Sequence, residues 1–184
     1  MASYDFDRLK VLLVEDSPFI QSLLINALKI LGVGTVIPKE DGGSAIEFLK
    51  LVQEDPMKAG VSNIDIILTN WDMSPVDGLM LLRWIRRHKD SPDRFVPVVM
   101  ITAYSEPARV REARELGVTD MLAKPFTIAN IGDKLINVIE RPRQFVHTKS
   151  YFGPDRRRQK RDIGKRPERR ILNDKSESVE VIRG

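Results

Sequence analysis

Residues 11–31 read VLLVEDSPFIQSLLINALKIL, and this stretch decides the fold class. Val11 to Val14 is a short, wholly aliphatic run of the kind that suits a strand buried on both faces. Two acids follow, Glu15 and Asp16. Ser17 can then cap a helix whose first position is taken by Pro18. Ile20, Leu23, Leu24, Ala27, Leu28 and Leu31 recur at helical spacing, and Gly32 and Gly34 end the run. A buried strand, an acidic corner and an amphipathic helix in that order make one strand-then-helix unit.

Further along the chain the unit recurs. Thr35 to Pro38 predicts a second strand and Ala45 to Val52 a second helix. Ile64 to Leu68 predicts a third strand, with a helix from Gly78 to about His88. A fourth strand is expected at Val98 to Ile101 with a helix at Pro107 to Leu116, and a fifth at Met121 to Ala123 with a helix from Ile128 to about Arg141. Five such units imply an α/β fold: a doubly wound five-stranded parallel sheet with helices on both faces. Asp55 to Asn63 is the longest linker within this region, and the sequence assigns it no role.

Composition narrows the function classes. The 184 residues contain 30 Lys plus Arg, 26 Asp plus Glu, two His and no Cys, and 42% are hydrophobic. One globular domain with an appendage fits that length. Without cysteine there is no disulfide scaffold, cysteine nucleophile or thiolate zinc site. No apolar run approaches the ~18 residues of a membrane span, and MASYDFDRLK lacks the pattern of a secretory signal, so a cytoplasmic location with no membrane partner is expected.

The net charge of +4 conceals an asymmetry. Residues 1–140 hold 16 basic and 20 acidic side chains, whereas residues 141–184 hold 14 basic and 6 acidic. The division at residue 140 therefore separates a folded domain from a basic tail.

In an open parallel sheet, ligands bind beyond the carboxyl ends of the strands. Strand one ends in Glu15 and Asp16, strand three runs into Asn70 and Asp72, strand four ends in Thr102, and strand five ends in Lys124. Acids, a hydroxyl and an ammonium gathered at one edge describe a site for a hard cation and a phosphoryl group. No nucleophile stands beside a base and there is no glycine-rich phosphate loop, so the sequence does not read as an enzyme.

VLLVEDSP, DIILTNWDMSPVDG, VVMITA and AKPF, in this order and spacing, resemble the receiver domain of bacterial two-component response regulators, most simply the single-domain chemotaxis regulators. The resemblance covers roughly residues 9–140. It implies a flavodoxin-like fold of five parallel strands in the order 2-1-3-4-5 with five helices. It also implies a phosphoacceptor aspartate at the end of strand three, a magnesium ion on the acidic pair Glu15 and Asp16, a switch hydroxyl at Thr102, and a phosphoryl-pairing lysine at Lys124. Homodimers and signalling partners such as kinase, motor or regulator components would use the face of the fourth helix, fifth strand and fifth helix.

The phosphoacceptor position, however, is Asn70. A neutral amide oxygen is a poor nucleophile and has no stable acyl phosphate product. With one negative charge fewer, Glu15, Asp16 and Asp72 would hold magnesium weakly, and no cofactor is required. Asp72 restores a carboxylate two residues on, although a polar residue there is ordinary in the family. Asp72 and Asp77 are the candidates for a substitute acceptor, both poorly aligned in the loop beyond the strand. Ser74 replaces the family's usual proline with Pro75 displaced by one, and Met121 occupies the place of the usual switch aromatic. Without a metal, Glu15 and Asp16 can serve as helix caps, and Lys124 as a salt-bridge partner for Asp16.

The tail from 141 is expected to be largely irregular, because few aliphatic residues interrupt its charges. Phe145, Tyr151 and Phe152 are the exception and could dock on the receiver or stack on a planar ligand. Tyr151, Arg156, Arg157, Arg158, Arg161, Arg166, Arg169 and Arg170 form the candidate binding set, since guanidinium groups contact phosphates and guanine edges and stack on bases. The set resembles the arginine-rich tails of chemotaxis-regulator-like proteins that bind cyclic di-GMP. Nucleic acid and an acidic protein face are the other candidate partners. Two functions follow: a phosphorylation-independent protein-binding module, or a cyclic di-GMP effector.

Overall fold

The computed structural model describes residues 4–103, 107–149, 151–155 and 180–182. Five strands, β1 (Lys10–Val14), β2 (Thr35–Lys39), β3 (Ile66–Asn70), β4 (Val98–Thr102) and β5 (Asp120–Ala123), pair in parallel in the order β2-β1-β3-β4-β5. Helices α1 (Pro18–Ile30) and α6 (Ile128–Glu140) supply the layer on one side. The other side carries α2 (Gly42–Glu54), α4 (Gly78–Arg87) and α5 (Pro107–Leu116). The repeated strand-then-helix units predict this doubly wound parallel sheet, and its strand order is the flavodoxin-like one that the family resemblance implies.

Strand alternation divides the core in two. Leu12, Val14, Ile67, Val98 and Met100 pack with α2, α4 and α5, while Val11, Leu13, Ile66, Leu68, Val99 and Ile101 pack with α1 and α6. Because both faces are covered, β3 and β4 are buried along their whole length, which is why they read as uninterrupted aliphatic runs.

The helix starts follow local hydrogen bonding. Ser17 caps α1, its hydroxyl accepting from the Ile20 amide, with Pro18 in the first turn. Asp41 and Ser44 form a reciprocal capping box that starts α2 at Gly42, three residues before the predicted start at Ala45. Gly42 is needed there, because a Cβ would meet Val76 at 2.7 Å. The predicted third strand at Ile64 to Leu68 lies two residues further on, at Ile66–Asn70, so Asn70 is the last strand residue. Within the Asp55 to Asn63 linker, Asp55 caps one short turn, α3 (Pro56–Ala59), which the sequence reading omits.

The largest departure lies past residue 140. A second sheet of β6 (Phe145–His147), β7 (Phe152–Pro154) and β8 (Glu180–Ile182), ordered β7-β6-β8, replaces the expected irregular start of the tail. Its first two strands close on the receiver through packed rings. Phe95 meets Phe145 and Phe152 edge-on, with centroids 5.1 and 5.4 Å apart, and the Arg94 guanidinium sits 3.6 Å over Phe152. Backbones approach so closely at Gly117 and Gly153 that a Cβ on Gly153 would stand 2.7 Å from the Gly117 Cα. Aromatic burial thus overrides the disorder that composition predicts.

Candidate functional site

Parallel pairing delivers the polar residues to one edge. Lys39 lies opposite Val14, Asn70 opposite Ile101, and Thr102 opposite Ala123, so Glu15, Asp16, Asn70, Thr102 and Lys124 all follow or end strands at the same height. Glu15 is held tightly: its amide donates to the Lys39 carbonyl at 3.0 Å, and Gln21 Nε2 donates to both the Glu15 and Lys39 carbonyls at 3.1 Å. Gln21 has no distinguishing signal in the sequence.

Asn70 is the hub of this edge. Its Nδ2 donates to Glu15 Oε1 at 3.2 Å, to Asp16 Oδ1 at 3.2 Å and to the Asp72 carbonyl at 3.0 Å. Its Oδ1 accepts from Lys124 Nζ at 3.2 Å. Carboxylates accept only and an ammonium donates only, so one orientation of the amide alone satisfies both neighbours. Lys124 also stands 3.7 Å from Glu15 Oε2, making Glu15 rather than Asp16 its charge partner.

Burial pushes the Glu15 carboxyl above its ordinary range, opposed by the Ser17 amide and the Lys124 charge. Glu15 is 2% exposed, and its Oε2 has no hydrogen bond despite the nearby ammonium. Thr102 is also 2% exposed, and its carbonyl accepts from the Lys124 amide at 2.7 Å.

Asp72 turns away from this cluster. Its Oδ1 pairs with Arg109 Nη1 at 3.5 Å, where both side chains are substantially exposed. Arg109 also lies 5.7 Å from the Trp71 ring. Asp77 is engaged as the α4 cap, accepting from the Met80 amide at 2.7 Å. The Ser74–Pro75 and Lys124–Pro125 peptides are cis. Met121 is half-buried against the core on the α4 and α5 side. Gly78 is a further site residue that motif reading passes over: a Cβ there would collide with the Asn70 carbonyl oxygen.

The donor set as arranged does not fit a magnesium ion. The Asn70 amide nitrogen, a donor, stands against the acidic oxygens that would have to face the cation, and turning the amide round would break its bond with Lys124. Among the described residues, no group of three or more His, Asp or Glu is placed to hold a metal.

Comparison with known proteins follows the same outline. The response regulator receiver domain family matches residues 11–136. The chain belongs to this family. A chemotaxis protein CheY-3 of Vibrio cholerae is 32% identical over 134 residues, spanning 73% of this chain and 94% of that protein. The chemotaxis protein CheY of Pseudomonas aeruginosa is 29% identical over 133 residues, spanning 72% of this chain and 98% of that one. Among solved structures, the receiver domain of the sensor histidine kinase PA1611 from Pseudomonas aeruginosa superposes with a TM-score of 0.58 at 28% identity, covering 72% of this chain and 98% of that one. That relative carries a magnesium ion in its active-site cleft.

The receiver identity makes this chain a signal-transduction module. Tyr151 is the only member of the tail's candidate binding set within the described residues. Its hydroxyl donates to the Pro154 carbonyl at 2.7 Å, so it closes the β6–β7 turn. Arg156, Arg157, Arg158, Arg161, Arg166, Arg169 and Arg170 lie outside the described residues. No helix among the described residues is long and apolar enough to cross a membrane.

Proposed function

We propose that this protein is an atypical single-domain response regulator that acts as a phosphorylation-independent protein-binding module, with residues 1–140 as the receiver and 141–184 as an appended basic segment. Its partner is a kinase, motor or regulator component. The observation that carries this reading is the Asn70 amide, which bridges the acidic pair and Lys124 and so completes the site without a phosphoryl group. A carboxylate at position 70 would instead face Glu15 and Asp16 and need a cation between them.

Incubation with acetyl phosphate and magnesium, followed by intact-mass measurement, tests it. The wild type should gain no phosphoryl group. A gain that disappears in Asp72→Ala would establish a substitute acceptor and end this reading.

A second reading, cyclic di-GMP binding by residues 156–170, is favoured by one observation. β7 ends at Pro154 and β8 begins at Glu180, and both pair with β6, so the arginine-rich segment is bounded at each end by the same sheet. Truncation at residue 140 is a poor test because it strips Phe145 and Phe152 from the receiver. Calorimetric titration of cyclic di-GMP into the full chain and into an Arg157→Gln, Arg161→Gln variant is cleaner. Micromolar affinity lost in the variant supports the reading, and equal affinity for both ends it. Binding to any mixed-sequence DNA that weakens steeply with salt would favour nucleic acid.

A further inference from the structure

At the edge of the sheet opposite Asn70, a cavity of about 510 Å³ opens between α2, α3, the approach to β3 and the loop before β4. Leu49, Val52, Ile64, Ile85 and Val96 give it an apolar floor, and its size falls within the range of small-molecule sites. The rim is polar: it includes Gln53, Asn63, Asp65, Ser91 and Asp93, no Lys or Arg lines the cavity itself, and the Lys10 ammonium stands behind the rim, donating to Asn63 Oδ1 at 2.6 Å.

Two carboxylates are anchored at this rim. Asp65 is fixed in place, accepting from the Lys10 amide at 2.8 Å and from Asn63 Nδ2 at 2.6 Å. Asp93 is fixed by the Phe95 amide at 2.7 Å through Oδ1 alone, which leaves its second oxygen available. The linker Asp55 to Asn63, to which the sequence assigns no role, frames one wall through Pro56, Ser62 and Asn63.

We propose that this cavity binds a small amphipathic organic cation, whose apolar body lies on the aliphatic floor and whose ammonium or amidinium group is held by Asp93 and Asp65. The site is independent of the Asn70 edge. It shares a wall with the docked hairpin, because the segment 91–96 lines the cavity with Ser91, Asp93 and Val96 and grips β6 and β7 with Arg94 and Phe95. Occupancy is therefore felt at the hairpin.

Titration of the full-length, ¹⁵N-labelled protein with 2-phenylethylammonium, followed by amide chemical shifts, tests the proposal, with 2-phenylethanol and phenylacetate as neutral and anionic comparators. Saturable binding at ~1 mM or tighter is expected for the cation, with weaker binding of the alcohol and at least about tenfold weaker binding of the anion. Shifts should map to Asn63, Ser91 and Val96, and across the wall to Phe152 and Gly153. Asp93→Asn, which retains the acceptor for Phe95, should weaken the cation about tenfold and leave the alcohol unchanged; Val52→Trp should abolish both by filling the cavity. No saturable shifts, equal binding of cation and anion, or shifts confined to Glu15 and Asp16 would overturn the site. Cavity shifts with none at Phe152 or Gly153 would overturn the coupling.

Discussion

The two edges of the central sheet handle charge in opposite ways. At the carboxyl edge, Glu15, Asp16 and Lys124 are reconciled by a single neutral amide, Asn70. At the amino edge, a charge is buried with no carboxylate bonded to it: Arg86 is fully buried and donates to the carbonyls of Gly117, Arg94 and Val96 and, at 3.4 Å, to the Thr119 hydroxyl. Burial pulls its guanidinium down to about 9, still charged at neutral pH. The ring of Phe145 covers it at 5.2 Å. One edge gathers its charges around a neutral amide, while at the other a buried guanidinium lies under the rings that hold the second sheet to the receiver.

The strongest way to break this contrast is at Arg86. Arg86→Ala leaves several buried acceptors unpaired and should cost ~3 kcal/mol or more, read by urea denaturation. A loss below ~0.5 kcal/mol, the scatter typical of surface sites, would show that the residue is not a structural centre.

Phe152→Ala should cost ~2–4 kcal/mol, somewhat under a fully enclosed ring, and should raise hydrogen exchange in residues 143–155 while sparing β1 and β3. Uniform exchange across the sheet would instead merge the two edges into one cooperative unit.

At the other edge, Asn70→Asp replaces a donor with a third carboxylate. It should lower stability by ~1–2 kcal/mol in chelator, with recovery in millimolar magnesium, while the wild type remains magnesium-indifferent. A wild type that magnesium stabilises equally would show that the Asn70 amide does not stand in for a cation.

The smallest effect concerns Glu15. Burial raises its folded pKa above the unfolded value, so the folded state binds the proton more readily, and the contribution is favourable at low pH and lost as pH rises through the folded pKa. Thermal melts of wild type and Glu15→Gln should therefore converge in the wild type's favour as pH falls from neutral toward the raised pKa. A difference constant with pH would mean that Lys124 already offsets the burial.

Much of the carboxyl edge was legible in sequence because period and spacing are local. Ser17 and Pro18 announced the start of α1, and the uniform aliphatic runs announced strands covered on both faces. The acids, Asn70, Thr102 and Lys124 each directly follow or end such a run, so the topology gathers them without further information. What local pattern could not give was direction. Asp72 and Lys124 each chose a partner, Arg109 and Glu15, that only folding brings within reach.

The amino edge was almost silent in sequence. Arg86 carries no signal that sets it apart from Arg87 beside it, and for Phe145 and Phe152 the sequence leaves docking on the receiver and stacking on a ligand equally open. By itself, then, the sequence determined the parallel sheet, its strand-end chemistry and the neutral residue at position 70, since these depend on residue type and short-range periodicity. Tertiary structure alone decided that Arg86 is buried, that Phe145 and Phe152 take the docked alternative, and that a cavity opens beside segment 91–96. Those outcomes depend on surfaces distant in sequence meeting at close range, where burial of rings and satisfaction of carbonyls outweigh the disorder favoured by the tail's own composition.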